Sequence, residues 1–229
     1  QRVAWREIKS AVIYRFEQRA ETQSGRGMLS EKYIVACPPL TEPVIFGQAV
    51  HEEAMRRGLA RAKSVYVVID GAVWLWDLTQ DRFAESIKTL DLHHAGQHLW
   101  ALGHEIYGEG TPESKKWVTR LLHQLRHGKE DRVIRRLEEI LEKWEFQDPG
   151  VQETVEREVH YFVKHKDHLH YQDRADEGAP MGSGAVESLA RQLQNRFKSC
   201  GQFWNREGLT HLLAIMTTVK NNDESFLWN

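Results

Sequence analysis

Val65-Tyr66-Val67-Val68-Ile69-Asp70-Gly71 is an unbroken apolar run that ends on a carboxylate, with a glycine directly after it. A strand buried on both faces reads this way, as the inner strands of a helix-covered sheet do. Asp70 then lies where the strand leaves the sheet, the place where open α/β folds put their chemistry. Gly71 permits a sharp turn beside it. A carboxylate on a rigid strand end suits a hard divalent cation. It suits the capping of a following helix equally well. The run by itself leaves both roles open.

Working outward, Trp5 to Phe16 mixes β-branched, aromatic and charged residues as a half-exposed strand does. Ser24-Gly25-Arg26-Gly27 reads as a loop, and Tyr33-Ile34-Val35-Ala36-Cys37 as a second strand closed by Pro38-Pro39. The modest connection predicts an antiparallel pair. Phe46, Ala49, Val50 and Ala54 follow a helical period that Gly58 ends. Beyond Asp70, Ser86 to Leu92 gives a short strand, and Leu99, Leu102 and Ile106 mark a helix. From about residue 112 only amphipathic helices follow. Trp117, Leu121 and Leu125 mark one, broken at Gly128; Val133, Leu137, Ile140, Leu141 and Trp144 mark the next. Val151, Val155, Val159 and Phe162 mark a third, after Asp148-Pro149-Gly150. The Gly178–Gly184 segment is the most loop-like in the chain, with Ser183 a candidate N-cap. Helices over Val186–Lys198 and Glu207–Val219 close the chain. The order predicts an α/β core, residues 1–108 and 183–229, interrupted by an all-α insertion over 109–182. Neither an internal repeat nor a low-complexity segment occurs.

At 229 residues, 41% hydrophobic and 28% charged, the chain has the composition of a globular domain with a sizeable core. No run approaches the ~18 apolar residues of a membrane span, so no membrane partner is expected. Gln1-Arg2-Val3-Ala4-Trp5 lacks the apolar centre of a signal peptide. Cys37 and Cys200 lie far apart and form no metal motif, which fits a reducing cytoplasm. The net charge of −2 speaks against DNA packaging. It leaves room for a DNA-acting enzyme with local basic patches. The chain begins without methionine, in strand-like sequence, which reads as a fragment or a processed chain.

Three constellations carry candidate chemistry. In the helix after the glycine loop, Val186, Leu189, Ala190, Leu193 and Phe197 share an apolar face, and Glu187, Arg191, Gln194 and Lys198 share the other. A solvated face with a Glu–Arg pair explains this; a metal-binding glutamate flanked by phosphate-holding bases explains it too. Asp91 and His94, two residues apart at a strand-to-helix transition, could orient a catalytic group or only hydrogen-bond within the core. His160, His165, His168 and His170 cluster in sequence but lack zinc-ligand spacing, and their charged surroundings predict a solvated surface. Trp74 and Trp76 read as core residues. P-loop, GxGxxG and GxSxG motifs are all missing.

Taken in order, Asp70-Gly71-Ala72-Val73-Trp74-Leu75-Trp76, Leu90-Asp91-Leu92-His93-His94-Ala95, Met181-Gly182-Ser183-Gly184-Ala185-Val186-Glu187-Ser188 and Arg196-Phe197-Lys198-Ser199-Cys200-Gly201-Gln202-Phe203-Trp204 resemble a known family. The chain is similar to the DDE transposases of bacterial insertion sequences, the Kra-type group related to Mutator-like elements. The likeness runs from about Trp5 to the C-terminus. It implies a ribonuclease H-like mixed sheet flanked by helices, with a helical insertion before the last catalytic residue. Asp70 matches the family's second catalytic aspartate and Glu187 its final glutamate, both metal ligands; Asp91 and His94 match an accessory Asp-x-x-His element. The family's first catalytic aspartate lies on a first strand upstream of the segment matching Trp5-Arg6-Glu7-Ile8-Lys9, so the resemblance implies a sheet lacking that strand. Asp77 and Asp81 follow Asp70 and do not substitute.

The resemblance further implies two Mg²⁺ ions (or Mn²⁺) in the complete enzyme, which cleaves and transfers strands at insertion-sequence ends as a homo-oligomer on DNA. Arg191, Arg196, Lys198 and Arg206 are the candidates for the DNA backbone, and Trp204 for packing or base stacking. Without the first aspartate, activity of this chain is expected to be impaired. The rival from another class is a non-catalytic DNA-binding or oligomerising remnant of a decayed element. A zinc-dependent hydrolase using the histidines is a third reading, with no ligand spacing to support it.

Overall fold

A computed structural model describes residues 6–21, 27–144 and 148–227. In chain order its strands are β1 (Lys9–Ile13), β2 (Arg19–Glu21), β3 (Gly27–Leu29), β4 (Tyr33–Cys37), β5 (Tyr66–Ile69) and β6 (Ile87–Leu90). Its α-helices are α1 (Pro43–Arg56), α2 (Val73–Arg82), α3 (Leu92–Tyr107), α4 (Pro112–Arg126), α5 (Glu130–Lys143), α6 (Pro149–Lys164), α7 (Tyr171–Asp176), α8 (Gly184–Phe197) and α9 (Arg206–Lys220). The class is α/β. Trp5 and the Ser24–Arg26 part of the expected loop lie outside the described residues. The chain divides into two compact units: Gln1–Val65 with Asp77–Glu85 and Gly184–Asn229, and Tyr66–Trp76 with Ser86–Ser183.

In the first unit β1 and β4 pair antiparallel, Lys9 opposite Cys37 and Ile13 opposite Tyr33, as the short connection predicts. Between them β2 and β3 form a second small antiparallel ladder, too short to leave a periodic signal. Pro38 ends β4, having no N–H for a ladder bond. Helix α8 turns Leu189, Leu193 and Phe197 inward, and they pack with Ile34 of β4 and Leu213 of α9. The outer edge of β4 is closed by a side chain. Buried Asn221 accepts from the Ile34 N–H (2.7 Å) and donates to the Ile34 carbonyl (2.9 Å), so both edge groups are satisfied.

In the second unit β5 and β6 pair parallel, from Tyr66 opposite Ile87 to Ile69 opposite Leu90. The helices α3–α6 bury Leu99, Leu102, Leu121, Leu125, Leu137, Val155, Val159 and Phe162 in one core that takes in Leu90 and Tyr171. Each such side chain contributes about 1.5–3 kcal/mol on burial. Caps fix the helix starts: Thr111 accepts from the Ser114 N–H (3.2 Å) and Asp148 from the Gly150 N–H (2.8 Å).

The described strands form three separate two-stranded ladders, β1–β4 and β2–β3 antiparallel and β5–β6 parallel. The second compact unit takes in β5, β6 and α3 along with the helical block, and Leu90 of β6 and Leu92, Ala95, Leu99 and Leu102 of α3 lie in the helical core. The reason is the apolar stripe of α3: Ala95, Leu99 and Leu102 are buried as α3 packs on α4 and α6.

Candidate active site

Asp70 follows directly on the last residue of β5 and is exposed. Its Oδ1 accepts the Ala72 N–H at 3.0 Å, tightening the turn into α2. Gly71 has φ +86°, the left-handed region that favours glycine. A Cβ there would stand 2.5 Å from the Tyr161 hydroxyl oxygen and 2.9 Å from its ring. Glycine is thus required twice over, by backbone angle and by the ring on its outer side. The Tyr161 hydroxyl also donates to the Asp70 carbonyl at 3.2 Å.

Asp91 follows β6 as Asp70 follows β5, one rung across the parallel pair; its own N–H donates to the Ile69 carbonyl at 2.8 Å. It is only 1% exposed. Its Oδ1 accepts the N–H groups of His93 (2.6 Å) and His94 (3.0 Å), the first turn of α3, and its Oδ2 accepts the Ser183 N–H (2.7 Å). The Leu92 N–H donates to the Met181 carbonyl at 2.9 Å beside it. Asp91 therefore caps α3 and ties down the segment that leads into α8. His94 gives Asp91 its backbone N–H, while its ring lies edge-on to His98 at 5.0 Å.

Around this strand end sits an aromatic and histidine cluster. His98 stacks on Tyr161 at 3.7 Å, and its Nδ1 faces Glu158 Oε2 at 2.5 Å. Glu158 is buried and also accepts from the Arg157 guanidinium. Burial pushes its carboxyl up, but the His98 and Arg157 hydrogen bonds outweigh this and hold it below the usual range. Burial, with the Asp70, Asp91 and Glu158 charges, pushes the Tyr161 hydroxyl well up, so it stays a neutral donor. Trp76 lies against His165 (4.9 Å) and His168 (4.3 Å). The expectation of a solvated histidine surface fails at His165, which is 3% exposed. Burial, with Lys164, His168 and His98 nearby, lowers its pKa to about 4. Its charged neighbours Lys164, Lys166 and Asp167 are what make the segment read as surface. His160 and His170 are exposed, as expected.

In the first unit Glu187 lies in the first turn of α8 and is exposed, with Arg191, Gln194 and Lys198 also exposed along the helix. The two faces read from periodicity are the two faces observed. Arg196 and Arg206 are exposed as well. Trp204 is held in place: its Nε1 donates to the Phe197 carbonyl at 3.1 Å and its ring lies edge-on to Phe197 at 5.8 Å.

Asp70, Asp91 and His94 come together in the second unit; Glu187 and the basic residues lie in the first. A magnesium pair needs several oxygen ligands with lone pairs to spare. Both Asp91 oxygens already accept backbone N–H bonds. No three His, Cys, Asp or Glu residues form a metal-binding group among the described residues.

Sequence reading missed Tyr161, His98 and Glu158. Their signal is helical spacing: Glu158, Tyr161 and His165 lie beside the Val155–Val159–Phe162 stripe, and His94 and His98 are four apart. In comparison with protein-family models, curated proteins and solved structures, the chain matches none. Among the described residues no helix is long and apolar enough to cross a membrane.

Proposed function

We propose that this chain is part of the ribonuclease H-like catalytic domain of a DDE transposase, which cleaves and transfers DNA strands at the ends of an insertion sequence. The observation that carries the reading is the pair of strand ends. Asp70 and Asp91 leave neighbouring parallel strands at the same end, in register, where α/β folds carry their chemistry. Asp70 and Glu187 are two members of the reactive carboxylate set, and the reading requires a third. Arg191, Arg196, Lys198 and Arg206 hold the DNA backbone by charge. The working form is a homo-oligomer on paired DNA ends, with magnesium or manganese as the metal.

The test is strand cleavage by the full-length protein on DNA that carries the ends of its element, with Mg²⁺ supplied. Asp70→Ala and Glu187→Ala are each expected to abolish cleavage while DNA binding persists. Retained cleavage by either variant overturns the assignment. A wild-type protein that binds these ends and never cuts them is instead a DNA-binding or oligomerising remnant.

A further inference from the structure

We propose that Tyr161, braced by the His98–Glu158 pair, is the positioning residue that fixes the Asp70 carboxylate at the end of β5. The inference rests on the reading of Asp70 as a reactive carboxylate and gives the helical block a task in that chemistry. Strand β5 ends at Ile69, so its ladder does not hold Asp70 and Gly71. Gly71, with no Cβ, can adopt its left-handed backbone and many other conformations unless something outside fixes it. Here the fixing groups come from α6, 91 residues away in sequence.

Tyr161 acts at two points. Its hydroxyl holds the Asp70 carbonyl, and its ring lies so close over Gly71 that a Cβ there would stand 2.5 Å from the hydroxyl oxygen. The ring is itself fixed on the other side. His98 stacks parallel to it, 22° between planes, and the buried Glu158 carboxylate orients His98 through Nδ1. The groups facing this assembly are His94 on α3, Arg157 on α6, His165 just past the end of α6, and the Asp91 carboxylate. With its hydroxyl kept neutral, Tyr161 acts on Asp70 as a hydrogen-bond donor and a packing surface. The Ala72 N–H, held by Asp70 Oδ1, reports on where that carboxylate stands.

Tyr161→Phe keeps the ring and the stack and removes only the hydroxyl. Glu158→Gln keeps the shape and loosens His98. Two readouts separate the inference from the function it rests on. By amide hydrogen exchange in the full-length protein, Ala72 is expected to exchange about tenfold faster in Tyr161→Phe and less so in Glu158→Gln, with core amides of α4 and α5 unchanged. In strand cleavage, kcat is expected to fall about tenfold in Tyr161→Phe, with KM for DNA unchanged, because a small misplacement of a reacting group is costly. Unaltered Ala72 exchange in both variants overturns the positioning role, whatever the activity. Faster Ala72 exchange with cleavage unchanged overturns its link to catalysis. A wild-type protein without cleavage removes the transposase reading and leaves the exchange result to decide the positioning role.

Discussion

Asp70 and Asp91 hold equivalent places, in register at the ends of neighbouring parallel strands, yet their surroundings are opposite. Asp91 is buried, and three backbone N–H groups use its two oxygens. Asp70 is exposed, and one backbone N–H uses one of its oxygens. A strand-end carboxylate is therefore not given a role by its strand. What decides is how many lone pairs the fold consumes. Asp91 spends them on joining β6, α3 and the 181–183 segment; Asp70 keeps capacity for something outside the fold.

The largest expected consequence lies in stability. Asp91→Ala leaves three N–H groups without acceptors and should cost about 3–5 kcal/mol in urea unfolding. A loss under about 1 kcal/mol would mean that water replaces the carboxylate and the clamp is not structural.

Next in size is a pH effect in the cluster beside these strand ends. His165 titrates near pH 4 when folded and near 6.5 when unfolded, so the unfolded chain binds more protons between those values. Its contribution is complete above pH 6.5 and is lost as pH falls towards about 4, on the order of 3 kcal/mol in all. Glu158 and His168, both shifted down, act in the same direction. Urea midpoints between pH 7 and pH 5 should fall steeply in the wild type and less in His165→Gln. Equal slopes would place His165 in water.

Gly71→Ala should cost about 2 kcal/mol, from the left-handed backbone and the collision with Tyr161. Combining it with Tyr161→Ala should recover the collision part but leave the backbone part, and full additivity would show that the ring is not the obstacle. The smallest effect belongs to Asp70→Asn, within about 0.5 kcal/mol, because the side chain is exposed and the amide oxygen can still accept the Ala72 N–H. A loss as large as that of Asp91→Ala would erase the contrast between the two strand ends.

Much of this was written locally in the chain. The run Val65–Ile69 forms a strand over Tyr66–Ile69, but only Ile69 is buried, because a two-stranded ladder does not cover both faces. The strand Tyr33–Cys37 and the apolar stripes of α4, α5 and α6 carry their period in adjacent residues, save that Trp144 falls just past α5 and is exposed. The two faces of α8 were legible for the same reason. What the sequence hides is long-range pairing. Nothing near Ile34 indicates that Asn221 closes its edge, and nothing near Gly71 indicates Tyr161. The ladder β2–β3 and helix α7 are too short for a period to emerge. Asp91 was visible as a polar residue at a helix start, but the reach of its second oxygen to Ser183, 92 residues on, was not.

The most direct measurement is Mg²⁺-dependent cleavage of element-end DNA by full-length protein carrying Asp70→Asn, with its unfolding followed in parallel. We expect cleavage to be lost at unchanged stability, as for a carboxylate the fold does not need and the chemistry does. Cleavage at the wild-type rate by the stably folded variant would contradict a catalytic role for Asp70 and leave it as the cap of the turn into α2.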